Sequence, residues 1–531
     1  MATMWTRLIQ LLYLAVAAAS VVAYRPVAKR QSQGDYPTQN FTMPIDHFHN
    51  ESRYEPHTNA TFEQFYWLDT TNYVPGGPVI ILALGEDSPS FDFQWLQKGL
   101  LHEIANATGG VAVLWGQRYY SGGNVVPSQQ YTTENLRFHS TEQAMADLAY
   151  FAERVTFPGL EDRNLTAATT PWIILGGSYG GVISAFTRIQ YPDIFWGGLS
   201  SSGITVAIDD NWQFFDVIRR YGPPECMKRQ QELTNLMDNI YDSGNQTALS
   251  ELYAAFNVSE ASQYPDLADF LGGLLSPWDQ TWNYPPEPLD GPGSYCDFIT
   301  SQTNATVSDA ALQTAAHSLV AYANKTATPN VTDLYYPLLN LFLYVQTQYQ
   351  FCSGQVVAEC LDVGFPSPFQ WLECTEYGSF ATGYTPGTPG RPDALPLVSR
   401  TQTLEYSLNQ CHSTYNITYN PQLERFNKYG GFNMSYPRLA LSTGQLDYYR
   451  PLTPLAEFLE DGRTPNPRTK SNGTSSDPEI VIQGGYHEWD FPGLLPNETD
   501  YTMPAVVHSA QSREVEAVKL WLQAWNQTHA I

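Results

Sequence analysis

The chain has 531 residues, 43% of them apolar and 14% aromatic, with a formal net charge of −26. That length can hold one large domain with an insertion or roughly two to three smaller ones, and the apolar fraction is ordinary for a globular protein. So acidic a chain argues against nucleic acid as a partner and fits a protein kept soluble outside the cell or in an acidic compartment.

In chain order, the first signal is one of export. Arg7 precedes an apolar run over residues 8–19, too short to span a bilayer, and small residues lead to a cleavage site at Val21-Val22-Ala23. Residues 1–23 are read as a signal peptide, against the alternative of an uncleaved anchor. Residues 24–40 are read as a polar, mobile N-terminus in which Lys29-Arg30 offers a dibasic processing site. Asn-X-Ser/Thr sequons recur along the whole chain, from Asn40 and Asn50 through Asn245 and Asn330 to Asn497 and Asn526. Together these features predict a secreted, N-glycosylated protein with no stable membrane insertion, the alternative destination being a vacuolar or lysosomal lumen.

Residues 78–84, 111–115 and 172–175 are short continuous apolar runs, as buried parallel strands require. Helical spacing over 141–155 and 182–190 alternates with them, which implies a parallel sheet. After about residue 210 the pattern becomes mostly helical, with loops rich in Pro, Gly and Asn, and residues 379–398 read as an irregular surface loop. Strand character returns at 439–443 and 480–482, and 504–525 reads as a closing amphipathic helix. The simplest architecture is one parallel sheet split by a helical insertion. The six cysteines, Cys226, Cys296, Cys352, Cys360, Cys374 and Cys411, lack the close paired spacing of a zinc site and read as disulfide staples of the middle region.

Gly176-Gly177-Ser178-Tyr179-Gly180-Gly181 contains the Gly-x-Ser-x-Gly pattern between an apolar strand and a helix. A nucleophile elbow of the α/β-hydrolase fold needs small residues there, because a tight turn thrusts the serine outward while the backbone passes close to its neighbours. A glycine-rich turn that only packs a helix on a sheet is the bland alternative. The backbone N–H of Tyr179 would supply one oxyanion donor, and the loop Leu84-Gly85-Glu86-Asp87 the second, near Gly85 and Glu86. This fold orders its triad Ser, then acid, then His. Of ten histidines, His487, in a glycine-flanked loop after the strand at 480–482, meets the requirement better than His508 or His529. Asp447, in the loop after the strand at 439–443, is preferred to Asp461 and Asp477, and residues 452–459 are expected to form part of a crossover helix between the two strands.

Several separated motifs occur in order: Pro44-Ile45-Asp46-His47-Phe48, Phe62-x-Gln64, Arg118-Tyr119-Tyr120, Thr141-x-Gln143-Ala144-x-Ala146-Asp147, Gly177-Ser178-Tyr179-x-Gly181 and Trp371-x-x-Cys374-Thr375-Glu376-x-Gly378. With them the chain resembles the family of lysosomal Pro-X carboxypeptidase and dipeptidyl peptidase II, as a fungal secreted member. The resemblance implies an α/β-hydrolase domain over 41–209 and 366–531 with a helical cap at 210–365, a Cys374–Cys411 disulfide, and cleavage after proline in short peptides, often at acidic pH. Departures stand at Gly85-Glu86-Asp87, at Gly116-Gln117 before Arg118, and at Asp447-Tyr448-Tyr449, where animal members carry Asp-Pro-Trp.

The expected activity is acyl transfer from peptide substrates by Ser178, His487 and Asp447, without a metal or cofactor. Tyr448, Tyr449 and Trp489 are candidates for an aromatic proline pocket, and Glu86 for an anchor of a substrate amine. The sequence leaves open carboxypeptidase, dipeptidyl peptidase or endopeptidase action, and the oligomeric state, a homodimer being one possibility. The rival readings are a secreted esterase or lipase with the same triad, and a non-catalytic glycoprotein on this scaffold.

Overall fold

Short aliphatic runs build the centre of the protein. The computed structural model describes residues 36–86, 93–120, 123, 125, 130–283, 289, 293–303, 309–326, 332–350, 353–360, 366–470 and 473–529. The export segment, the dibasic site and Cys352 lie outside the described residues. Ten strands are described: β1 Gln39–Pro44, β2 Thr61–Asp69, β3 Val79–Ala83, β4 Val111–Trp115, β5 Trp172–Gly177, β6 Phe195–Ser201, β7 Ile208–Asp210, β8 Gly378–Phe380, β9 Leu439–Gly444 and β10 Glu479–Ile482. Eight form one sheet in the order β1-β2-β4-β3-β5-β6-β9-β10, while β7 and β8 pair separately. From β4 to β10 every pairing is parallel, and β1–β2 and β2–β4 are antiparallel. This is the sheet of an α/β-hydrolase.

Alternation along the strands decides what covers each face. Val79, Ile81, Val113, Trp172 and Ile174 point to one side, with Leu148 and Phe151 of α2 (Thr141–Arg154) and Val182, Ile183 and Phe186 of α3 (Ser178–Gln190). Ile80, Leu82, Leu114, Ile173 and Leu175 point to the other, with Leu101 and Ile104 of α1 (Leu100–Thr108) and Val518 and Trp521 of α12 (Ala505–Thr528). Each such side chain, when fully buried, contributes about 1.5–3 kcal/mol.

Helices α4 (Gln213–Tyr221), α5 (Pro224–Asp242), α6 (Gln246–Phe256), α7 (Tyr264–Gly273), α8 (Tyr295–Thr300), α9 (Ala310–Thr326) and α10 (Tyr335–Gln348) follow the first six strands. Their apolar faces form a core of their own, which includes Leu233, Leu252, Leu271, Ile299, Leu319 and Phe342. A further helix, α11 (Leu404–Tyr415), precedes β9.

Two expectations need correction, and some strands lay outside them. Between β9 and β10 the described residues hold only short 3-10 turns, at Arg450–Leu452 and Pro467–Lys470, and no α-helix over 452–459. Pro451, Pro454, Pro465 and Pro467 remove N–H donors and deny that segment a helical ladder. Residues 379–398 begin in strand β8 and are irregular after it, but they are not wholly superficial. Leu397 and Val398 are buried in the helical core, and the Leu397 carbonyl accepts bonds from Gln230 Nε2 at 2.9 Å and Thr234 Oγ1 at 2.8 Å. The β1–β2 pair and β6 were not anticipated. In β6 the apolar run is interrupted by Gly197 and Gly198, and a Cβ at Gly197 would lie 2.3 Å from the Trp521 ring, so the gap in the pattern is the seat of α12.

Candidate active site

The turn from β5 into α3 is fixed by contact. Ser178 adopts φ of 51°, a left-handed conformation that costs a non-glycine residue on the order of 1–3 kcal/mol. The surroundings hold it there. A Cβ at Gly176 would stand 2.0 Å from the Gly180 carbonyl oxygen, and one at Gly180 would stand 2.4 Å from the Ala83 carbonyl oxygen. Only glycine fits at these crossings. Gly85 abuts the same turn: its Cβ would meet the Gly180 nitrogen at 3.3 Å and the Tyr179 Cβ at 3.7 Å. The loop after β3 therefore lies beside the backbone N–H groups that open α3.

Asp447 and His487 meet at the ends of β9 and β10. His487 Nδ1 lies 3.0 Å and 3.1 Å from the two Asp447 carboxylate oxygens. Asp447 is buried and also accepts bonds from the Tyr449 N–H at 2.8 Å and Thr443 Oγ1 at 3.2 Å. Burial alone would raise its carboxyl, but His487, Ser202 and the Tyr449 N–H hold it below the ordinary aspartate value. For His487 burial works against the charged ring, yet Asp447 outweighs it and raises the imidazole. The pair is thus arranged to stabilise an imidazolium.

The histidine loop is carried to the elbow by its next residue. A Cβ at Gly177 would fall 2.0 Å from Glu488 Oε1, so the residue after His487 lies against the residue before Ser178. The Glu488 N–H donates to Ser202 Oγ at 3.0 Å. Asp490 anchors the loop from below, accepting from Ser201 Oγ at 2.5 Å and Ser442 Oγ at 2.6 Å. His508 is exposed on α12, and Asp461 caps its own turn at Arg463 and Thr464.

The insertion clasps both loops. Trp278 Nε1 donates to the Leu446 carbonyl at 2.9 Å, Trp282 Nε1 donates to the Trp489 carbonyl at 2.9 Å, and the His487 N–H donates to Asp279 Oδ1 at 3.3 Å. Asp279 reaches solvent, but the protein around it pushes its carboxyl up to about 6, with Asp447 adding to the effect and His487 opposing it. Tyr449 and Tyr448 have ring centres 5.2 Å and 6.3 Å from the His487 ring. Phe214 of α4 completes this cluster, 4.3 Å from Tyr448 and 5.3 Å from Tyr449. Trp489 belongs elsewhere: its indole donates to the Gln280 carbonyl at 2.6 Å and packs with Ile480 and Ile482. Glu86 acts on Glu373, a half-buried carboxyl that burial first and Glu86 second push up to about 8.

Of the remaining motif residues, Thr141 and Glu376 brace the elbow through Tyr179, while Arg118, Asp147 and His47 tie the turn after β1 to α2. Tyr179 Oη lies 3.3 Å from Thr141 Oγ1, whose hydroxyl and N–H both donate to Glu376, at 2.6 Å and 3.0 Å. Arg53 donates to the other Glu376 oxygen at 2.7 Å. Arg118 makes a two-pronged bond to buried Asp147, at 2.6 Å and 2.7 Å, and Asp147 also meets His47 Nε2 at 2.7 Å. Cys374 is bonded to Cys411, and Cys226 to Cys296. Phe214, Asp279, Trp278 and Ser202 escaped the sequence reading, since each lies far in the chain from the residue it serves and no local pattern marks it.

A sheet of this order, a serine on a strained strand-to-helix turn and a carboxylate–imidazole pair beside it define a serine hydrolase of the α/β-hydrolase fold. Within that class, the family described as Serine carboxypeptidase S28 matches residues 43–459. The chain belongs to this family of serine peptidases. It is 36% identical to a "Probable extracellular serine carboxypeptidase" of Arthroderma benhamiae, over 92% of this chain and 68% of that protein. It is 25% identical to "Serine protease vicPb" of Bipolaris victoriae, over 85% and 83%, and 24% identical to the mouse "Lysosomal Pro-X carboxypeptidase", over 66% and 69%. Among the described residues no helix is long and apolar enough to cross a membrane.

Proposed function

We propose that this protein is a secreted, N-glycosylated exopeptidase that cleaves after proline in short peptides, with Ser178 as nucleophile, His487 as general base and Asp447 as the residue that orients it. The observation that carries the reading is the Asp447–His487 contact at 3.0–3.1 Å beside the Ser178 elbow, in a chain of the S28 family.

His487 takes the Ser178 proton as Oγ attacks the scissile carbonyl. The Tyr179 N–H and a backbone donor at Gly85 or Glu86 hold the oxyanion, and His487 then protonates the departing amine. Water enters, gives its proton to His487 and releases the acyl group. Tyr448, Tyr449 and Phe214 offer flat faces to a prolyl ring, which has no side chain able to turn away from them. The insertion, clasped to both loops, limits approach to chain ends. The names of two relatives, an extracellular and a lysosomal carboxypeptidase, support the exported location and Pro-X cleavage.

The test uses the purified protein and Ser178→Ala. Both are incubated with Ala-Pro-leaving group, the same compound blocked at its amine, and blocked X-Pro-Phe with a free carboxylate, and the cut is located by mass spectrometry. Serine-dependent cleavage after proline is expected, and the tolerated blocked end assigns carboxypeptidase or dipeptidyl peptidase action. Ester hydrolysis without peptide cleavage would overturn the reading.

A further inference from the structure

A second group of chemistry-bearing side chains lies in the turn that follows β1, made of residues other than the Ser178, Asp447 and His487 set. Asp46 is buried, and its two oxygens are used differently. Oδ1 accepts from the Phe48 N–H at 2.9 Å and from Gln143 Nε2 of α2 at 3.1 Å. Oδ2 is left to face His57 Nδ1 at 2.8 Å. Gln143 is itself fixed, because its Oε1 accepts the His47 N–H at 3.0 Å. His49 then brings a second imidazole, its ring centre 5.5 Å from that of His57. One ligand atom from each of Asp46, His49 and His57 lies within 4.8 Å of the others.

We infer that Asp46, His49 and His57 form a binding site for a first-row divalent cation, with zinc the natural probe. Two imidazoles and one carboxylate are a ligand set for such ions, and neutral imidazoles with one carboxylate leave a net charge of the right sign. The carboxylate already has the outer-shell bonds that a ligating carboxylate requires, supplied by Phe48 and Gln143. Ligand atoms around tetrahedral zinc stand about 3.3 Å apart, so the Asp46–His57 pair at 2.8 Å must part slightly, giving up the proton between them if those two atoms ligate, while the widest separation, within 4.8 Å, must close by up to about 1.5 Å. His49 is the ring free to do this, since it is exposed, whereas Asp46 is buried and doubly held. A bound ion would tie the 45–57 turn to α2 through the Asp46–Gln143 bond. The site is structural, since none of the residues proposed to act on substrate belongs to it.

A plain ion pair between Asp46 and His57 is the competing account, and His49 separates the two, since an ion pair makes no use of it. The full-length secreted protein, stripped with chelator and dialysed, is titrated with zinc chloride by calorimetry at neutral pH, and its melting temperature is followed with and without zinc. One saturable site and a zinc-dependent rise in melting temperature are expected. His49→Ala and His57→Ala should each weaken binding by about tenfold or more, and the double variant should abolish the rise. Melting of each variant in chelator, compared with the parent in chelator, shows that it is folded. Because His49 is exposed, its single variant remains a fair test even where His57→Ala does not fold. The inference is overturned if the parent shows no saturable uptake below about 1 mM, or if His49→Ala binds as the parent does.

Discussion

The two sides of the candidate site are held by different means. On the nucleophile side the backbone of one element touches the backbone of the next: Gly176 meets the Gly180 carbonyl, and Gly180 meets the Ala83 carbonyl, where no Cβ can stand. On the acid–base side the contacts are made by side chains, most of them from distant parts of the chain. Asp447 is bonded by Thr443 and Ser202, the loop before it by Trp278, and the His487 loop by Asp279, Trp282, Ser201 and Ser442. Steric fixation leaves a motif, because each crossing demands a glycine. Hydrogen-bond fixation, drawn mostly from distant segments, leaves none. The difference also predicts how each side fails.

The largest effect is expected on the acid–base side. Asp447→Asn keeps the shape but removes the charge that orients and stabilises the His487 imidazolium, so kcat should fall by about 10³–10⁴-fold while KM changes little. Steady-state kinetics on a prolyl substrate checks this. A loss confined to KM would mean that Asp447 serves substrate binding instead.

On the nucleophile side a methyl group should be as damaging to the fold as the lost charge is to the chemistry. Gly176→Ala places a Cβ 2.0 Å from the Gly180 oxygen, backbone that cannot swing aside, and should destabilise the protein by about 3 kcal/mol or block folding. Gly177→Ala meets the end of the flexible Glu488 side chain and should cost less. Denaturant melts of the two variants order them. Equal costs would break the contrast between backbone and side-chain fixation.

The smallest effect is on the pH dependence of stability. Burial, with Glu86 behind it, raises Glu373 from the ordinary 4.5 to about 8. The folded protein therefore holds a proton between those values that the unfolded chain has released. Stability from this group is fully present below about 4.5 and is lost as pH rises towards about 8. Asp447 runs the other way: its lowered value makes its contribution present above the ordinary 3.8 and lost as pH falls through the folded value. Glu373→Gln should flatten the fall in melting temperature between pH 5 and 8, about one to a few degrees in a chain of this size. An unchanged slope would place the titration elsewhere.

Much of the fold was legible because its signals are local. The runs at 111–115 and 172–175 sit in β4 and β5, the helix expected at 141–155 is α2, and the closing helix is α12. Ser178 stands at an elbow, and Asp447 and His487 meet though the sequence separates them, since the loops that follow β9 and β10 end on the same edge of a parallel sheet. Illegible were β6, whose glycines hide a strand beneath Trp521, and the crossover at 452–459, where apolar residues suggested a helix that prolines forbid.

The sequence by itself determined the central parallel strands β3, β4, β5, β9 and β10 and marked the turn at Ser178, because burial periodicity and the glycine requirement of a tight turn can be read from short stretches of chain. Only the tertiary structure decided that Phe214 joins Tyr448 and Tyr449 beside His487, that Trp489 packs away from them, and that Trp278, Asp279 and Trp282 close over both loops. Those contacts join segments far apart in the chain, and side-chain direction at such a junction is set by packing between the insertion and the sheet, which no local pattern records.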